Sequence, residues 1–235
     1  MPAHNALVVR GGWEGHSPVE TTDLFIPFLE REGYAVRIEE SGEIYADADA
    51  MAEIDLIVQC VTMSQLSREA TSGLRAAVAA GTGLAGWHGG IADSYRSSSD
   101  YLQLIGGQFA THPSKPPSEV VGDASDNFLP HSIEITDLGR THPITVGIGD
   151  IRLDTEQYWV LADDLNDVLA TTTHPFRPHH PWHRSVTTPA VWTREWGEGR
   201  VFVATPGHSV DVLQNPQVRT IIERGMLWAS RTASE

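Results

Sequence analysis

The chain is short of cysteine, of basic residues and of long apolar runs, and each shortage removes a class of protein. Cys60 is the single cysteine among 235 residues, which excludes an internal disulfide and a Cys-rich zinc cluster and agrees with a reducing compartment. No stretch approaches the roughly 18 consecutive apolar residues of a membrane-spanning helix. Met1 to Asn5 forms no basic leader either, because it runs at once into the strand-like Ala6-Leu7-Val8-Val9. A cytoplasmic protein with no membrane partner is expected. Sixteen Lys and Arg against 31 Asp and Glu leave a net charge of -15, which repels phosphate backbones and argues against nucleic acid as a partner. Phosphate-binding glycine signatures are missing as well. Gly11-Gly12-Trp13-Glu14-Gly15 is too irregular for a dinucleotide fingerprint, and no G-x-x-x-x-G-K-[ST] occurs, so no tightly bound nucleotide is expected.

What is present fits a folded α/β chain. A hydrophobic share of 40% with 20% charged residues is enough for a sizeable core, and no break in composition divides the sequence, so one domain over 1-235 is expected. Ala6 to Arg10 reads as a buried strand. A glycine-rich turn follows, and Ser17-Pro18-Val19-Glu20 looks like a capping box opening a helix that Pro27 should kink or restart. Gly33 stops that helix, and Tyr34 to Ile38 resumes strand alternation. Ile54 to Cys60, Leu66 to Ala80 and Gly83 to Trp87 repeat the strand, helix, strand order. Such alternation indicates a parallel sheet with both faces covered, whose ligands gather at the carboxyl ends of the strands. That rule groups the loops at His16, Cys60 to Met63 and His88. Further on, short strands are expected near Glu119 to Val121, Ser132 to Thr136, Val168 to Thr172, Ala190 to Thr193 and Arg200 to Thr205, with a last helix from about Pro216 to Ala229 and a fraying tail. Thr173 to Pro189, rich in Pro, His and Arg, reads as a loop or lid.

Eleven histidines matter because His titrates near neutrality and is the commonest metal ligand. Gly86-Trp87-His88-Gly89-Gly90 has the small flanking residues of a sharp strand-to-helix elbow, which presents its central side chain at the top of a sheet. The presented residue is histidine rather than a Ser or Cys nucleophile. A plain tight turn is the structural alternative. Gly197 to His208 reads as a glycine turn, a buried strand and a histidine at the strand's carboxyl end.

Five segments in order carry a family resemblance: Gly83 to Gly90, Tyr101 to Phe109 with His112-Pro113, Thr141-His142-Pro143-Ile144, Thr155-Glu156-Gln157-Tyr158, and Gly197 to His208. On these motifs the chain resembles the ThuA-like (trehalose-utilization) family of the class I glutamine amidotransferase-like superfamily. The resemblance implies a flavodoxin-like, three-layer α/β sandwich with a mostly parallel central sheet, and a role in disaccharide or keto-sugar catabolism. In amidotransferases of this fold a triad histidine follows the strand equivalent to Arg200 to Thr205, with an acid two residues later. Val210 stands at that later place, so the acid must come from elsewhere, and Glu156 is the preferred residue. Without an elbow cysteine, glutamine hydrolysis is not expected.

His88, His208 and Glu156 are thus the expected catalytic group, either as acid and base or as ligands of a divalent metal such as zinc with an open position for water. His16, Trp13, Trp87, His112 and Tyr158 are the expected substrate-binding residues around them. His142 is read as a turn residue before Pro143. His174, His179, His180 and His183 around Trp182 suit either a solvated loop or a lid over a sugar. An enzyme acting on a small sugar, hydrolase or isomerase, is the leading expectation, and a non-catalytic sugar-binding or regulatory module is its rival. A homo-oligomer stays open.

Overall fold

In the first strand the side chains alternate between two destinations, and that alternation organises the whole fold. The computed structural model describes residues 4-113, 115-122 and 127-231, and the last four residues of the expected fraying tail lie outside them. β1 (His4–Gly12) sends Ala6 and Val8 to one hydrophobic cluster and Leu7 and Val9 to another. The first cluster includes Phe25 and Leu29 from α1 (Pro18–Asp23) and α2 (Ile26–Arg31) with their connection. The second includes Tyr45, Met51 and Leu74, the last two from α3 (Ala48–Ala52) and α4 (Arg68–Ala79). A strand whose two faces are both apolar can satisfy both only between two layers of helix or loop.

The remaining strands are β2 (Tyr34–Glu39), β3 (Leu56–Thr62), β4 (Gly83–Trp87), β5 (Gly107–Thr111), β6 (Phe128–Ile135), β7 (Ile151–Glu156), β8 (Trp159–Ala162), β9 (Asp167–His174), β10 (Val186–Trp196) and β11 (Gly199–Ala204). Eight of them join β1 in a nine-stranded mixed sheet of order β2-β1-β3-β4-β11-β10-β9-β6-β7, and β5 pairs with β8 separately. The pairings from β2 to β11 are parallel. Those from β11 to β7 are antiparallel. The sheet is therefore half parallel, where the sequence led us to expect a mostly parallel one. Short links explain the difference: Gly197 and Glu198 alone join β10 to β11, too few residues for a crossover helix. The helices α5 (Gly89–Ala92), α6 (Ser99–Ile105), α7 (Val210–Gln214) and α8 (Pro216–Ala229) complete the chain.

Several local expectations need correction. Pro27 does restart the helix, as the second residue of α2. Ser17, however, is no N-cap by its hydroxyl: it adopts φ 45° and ψ 58°, and its carbonyl accepts from the Thr21 hydroxyl at 2.8 Å. The segment Glu119 to Val121 is no strand, because Pro116 and Pro117 lead into a 3-10 turn at Pro117–Glu119. At Thr173 to Pro189, β9 and β10 extend inward from both ends and leave only residues 175-185 as loop.

That extension buries His174, and burial, aided by the neighbouring His131 and His180, lowers its pKa from the usual 6.5 to about 4. The ring is held neutral in the fold while the unfolded chain binds a proton below about pH 6.5, so its contribution to stability is full above that pH and fades as pH falls toward 4. Replacing His174 with Phe, which keeps the stack on Trp159, should make the unfolding midpoint in urea fall less steeply between pH 6.5 and 4.5 than it does in the wild-type protein. Parallel pH profiles for the two proteins would show that His174 does not titrate with folding.

Candidate functional site

The site lies at the carboxyl ends of the parallel strands, and its backbone is under local strain there. Among the described residues, positive φ at non-glycine positions occurs at Ser17, Met63 and His88, which follow β1, β3 and β4. His88 has φ 50° and ψ -142° at the junction of β4 and α5, a sharp elbow that costs of order 1-3 kcal/mol in a residue with a Cβ. Two features hold it. The His88 amide donates to Ala204 O at 2.6 Å, and the flanking glycines let the elbow press on β3. A Cβ on Gly90 would sit 2.7 Å from Cys60 Cα, so no larger residue fits without moving β3.

From this elbow the His88 ring points at Glu156, the last residue of β7, with Nε2 3.1 Å from Oε2. The same oxygen lies 3.1 Å from His208 Nδ1, 3.6 Å from His112 Nε2 and 3.8 Å from His16 Nε2. Ligand atoms of His16, His88, Glu156 and His208 all fall within 4.8 Å of one another. His16 was expected only as a substrate contact, yet it stands beside the three residues proposed as the core. Its signal was position: it follows the Gly11-Gly12 turn at the end of β1.

Second hydrogen bonds fix the ring orientations. His88 Nδ1 faces the Thr205 carbonyl at 2.8 Å and His112 Nδ1 faces the Gln157 carbonyl at 3.3 Å. A carbonyl only accepts, so both Nδ1 atoms carry the hydrogen, and in the neutral rings both Nε2 atoms turn lone pairs toward Glu156. His16 Nδ1 meets the Thr62 hydroxyl at 3.0 Å, a partner that can donate or accept. His208 Nδ1 is buried and has no aligned hydrogen-bond partner despite its proximity to Glu156. Sequence reasoning missed Thr205 and Gln157, because a backbone carbonyl leaves no side-chain signature, and Thr62, because its hydroxyl meets His16 only across 46 residues of chain.

Electrostatics sharpen the arrangement. Burial opposes ionisation of Glu156, but the polar imidazoles of His16, His208 and His88 crowded around it outweigh that cost and hold the carboxyl well below its usual range. Burial also lowers His88 to about 4, against the pull of Glu156. An ionised carboxylate thus faces the lone pair of a neutral imidazole. Two lone pairs 3.1 Å apart repel unless a cation or proton lies between them.

The other expected residues are placed as follows. Tyr158 is buried and stacks on His88 with centroids 4.1 Å apart, so it backs the ring rather than facing solvent. Trp13 is half exposed and meets His16 edge-on at 4.7 Å, at the rim. Trp87 does not line the site. It is buried on the other side of the elbow against Phe25, at 4.9 Å, because successive strand residues face opposite ways. His142 packs near Trp228 and its Nδ1 accepts from the Ile144 amide, away from the cluster. Residues 175-185 are anchored by rings: His180 stacks on Trp182, Trp182 meets Trp159, and Trp159 stacks on His174. His179 and His183 are exposed, whereas His174 and His180 are buried, so this stretch is not simply a solvated loop.

Cys60 is buried in β3 beside Thr21, and burial pushes its thiol up to about 11.

A family model described as ThuA, trehalose utilisation, matches residues 5-229. No curated protein matches the chain. Among solved structures, a ThuA-like protein of Bacteroides uniformis has a TM-score of 0.73 and 16% identity, over 97% of this chain and 91% of its own. A ThuA-like protein of Parabacteroides merdae has a TM-score of 0.71 and 16% identity, over 99% and 92%. A cytoplasmic protein of Salmonella typhimurium has a TM-score of 0.63 and 15% identity, over 97% and 100%. At these identities the likeness shows the fold. No described helix is long and apolar enough to cross a membrane.

Two outcomes follow from the elbow. Iodoacetamide should leave the native protein unlabelled at neutral pH and label Cys60 only after denaturation, as intact mass would reveal; labelling of folded protein would contradict an inert thiol. Gly90→Ala should cost about 1-3 kcal/mol in urea unfolding, since the added methyl meets backbone rather than a movable side chain. Wild-type stability in that variant would mean that β3 and the elbow are not in close contact.

Proposed function

The chain belongs to the ThuA family, and from that premise we propose that it is a single-domain enzyme of disaccharide or keto-sugar catabolism acting on a neutral sugar with the help of a divalent metal ion. His16, His88, Glu156 and His208 would hold the ion, and zinc suits three imidazoles and a carboxylate. One observation carries the reading: the His88 lone pair, fixed by the Thr205 carbonyl, points at an ionised carboxylate oxygen, beside an orphaned His208 Nδ1. A cation among these atoms satisfies all of them at once. The distances support it, because ligands bonded at about 2.0-2.1 Å in a tetrahedron stand about 3.4 Å apart, close to the 3.1 to 3.8 Å spacings around Glu156 Oε2.

A bound ion would supply Lewis-acid polarisation of a sugar oxygen. The chain's own residues do the rest. Glu156 supplies the negative charge, Thr205 and Thr62 hold the His88 and His16 rings in aim, and Tyr158 seals the far side of His88 from water. His112, half-buried 3.6 Å from Glu156 and outside the tightest four, would take or give a proton at the substrate. Glutamine hydrolysis forms no part of this reading, since an imidazole stands at the elbow and the only thiol is buried. The sugar assignment rests on the trehalose-utilisation description of the family, and the cytoplasmic location on the single reduced cysteine.

Metal analysis of protein purified without a His tag decides the matter. About one divalent ion per chain is expected in the wild-type protein and much less in His88→Ala and His208→Ala. Adding zinc to chelator-treated protein should raise the wild-type Tm and leave that of His208→Ala unmoved. A wild-type protein that carries no ion and shows no Tm response to zinc, manganese or cobalt would leave the histidines as metal-free acids and bases.

A further inference from the structure

A cavity of about 300 Å³ lies beside the histidine cluster, and none of the four residues proposed to hold the ion lines it. It shares a wall with the cluster at three points of the chain, where one residue faces the cluster and the next lines the cavity. Glu156 precedes Gln157, His112 precedes Pro113, and Phe128, whose ring meets His208 at 5.1 Å, precedes Leu129. The cavity thus borders the cluster through the backbone of these three segments, while none of the cluster's own side chains lines it.

The chemistry of the walls is specific. Gln157 is buried and its amide nitrogen donates to Thr172 Oγ1 at 2.7 Å and to the Thr173 carbonyl at 3.1 Å. The carbonyl fixes which end of the amide is nitrogen, so Oε1 is turned the other way, and it accepts no hydrogen bond among the described residues. His131 Nδ1 donates to the Leu129 carbonyl at 2.7 Å, which leaves Nε2 as an acceptor, also without a partner among the described residues. Glu134 adds a carboxylate and Ser132 a hydroxyl. The Arg177 guanidinium, the one on the wall among the described residues, is already paired with Glu119 at 2.7 Å. Pro113, Pro130 and Pro175 supply apolar surface between these polar groups.

Unused acceptors next to apolar faces, with the Arg177 guanidinium already paired, describe a host for a neutral molecule rich in hydroxyl donors and C–H surface. An anion would meet Glu134 in a chain of net charge -15. We propose that this cavity binds the sugar, with Gln157 Oε1 and His131 Nε2 accepting from its hydroxyls, and that it selects neutral over phosphorylated sugars. The assignment rests on the reading of the cluster as a sugar-processing centre, but it concerns different residues. Its volume is at the lower end of the roughly 300-1,000 Å³ of small-molecule sites.

The test is calorimetric titration of the full chain with trehalose, maltose, glucose and glucose 6-phosphate, with metal content measured on the same samples. At least one neutral sugar should bind, and glucose 6-phosphate should bind more weakly than glucose. Ser132→Tyr, which fills the cavity, should abolish binding, and His131→Leu should weaken it about tenfold, the worth of one hydrogen bond to a buried acceptor. Metal content should be unchanged in both. His131→Gln, which restores an acceptor, should recover part of the affinity where a merely structural role for His131 would not respond. Failure of every neutral sugar to bind overturns the proposal, as does binding that survives Ser132→Tyr or favours the phosphorylated sugar. If the wild-type protein holds no metal yet binds sugar as described, the cavity assignment stands and the metal reading alone falls.

Discussion

Around one oxygen, Oε2 of Glu156, the nitrogens of four histidines lie within 3.1 to 3.8 Å. An ionised carboxylate cannot be taken out of water alone, because the cost of several kcal/mol must be offset by partners that stay in place. The carboxylate thus sets the demands on everything near it. The His88 ring needs the Thr205 carbonyl behind it, the elbow needs β11 to hold its amide, and β3 must give way to Gly90. Strain at φ 50° in His88 persists because these contacts over-determine it.

The two halves of the sheet divide the work. The parallel half ends in the loops that carry His16, His88 and His208, each placed by a strand terminus. The antiparallel half brings the counter-charge on β7 and the walls of the neighbouring cavity on β6 and β9. In a flat sheet β7 would stand roughly 24 Å from β4, at about 4.8 Å per strand. The 3.1 Å contact between His88 and Glu156 requires the antiparallel end to bend back over the strand ends. Joining the site across that bend makes its integrity a property of the whole sheet rather than of one loop.

Much of the parallel half is legible in the residues. Strand runs such as Leu56–Thr62 and Gly83–Trp87, and the helix Pro216–Ala229, announce themselves by apolar continuity, by a glycine at a turn or by a proline at a helix start. The elbow is legible for the same reason, since Gly86, Gly89 and Gly90 around His88 have a local steric meaning. Ser17 shows where local reasoning stops: its sequence context is that of a capping box, yet the chain must swing His16 toward Thr62 and Ser17 takes the left-handed turn instead.

The sequence alone therefore determined the parallel strands, the histidine elbow, the absence of a reactive thiol and the strand-end address of the site, because each depends on neighbours within a few residues. The bend that carries Glu156 to His88, the inclusion of His16, the inward turn of Trp87 to the core and the cavity next door were decided only by tertiary structure. They depend on pairings across long sequence separations and on backbone carbonyls, such as Thr205 O and Gln157 O, that every residue type possesses and no pattern of side chains can announce.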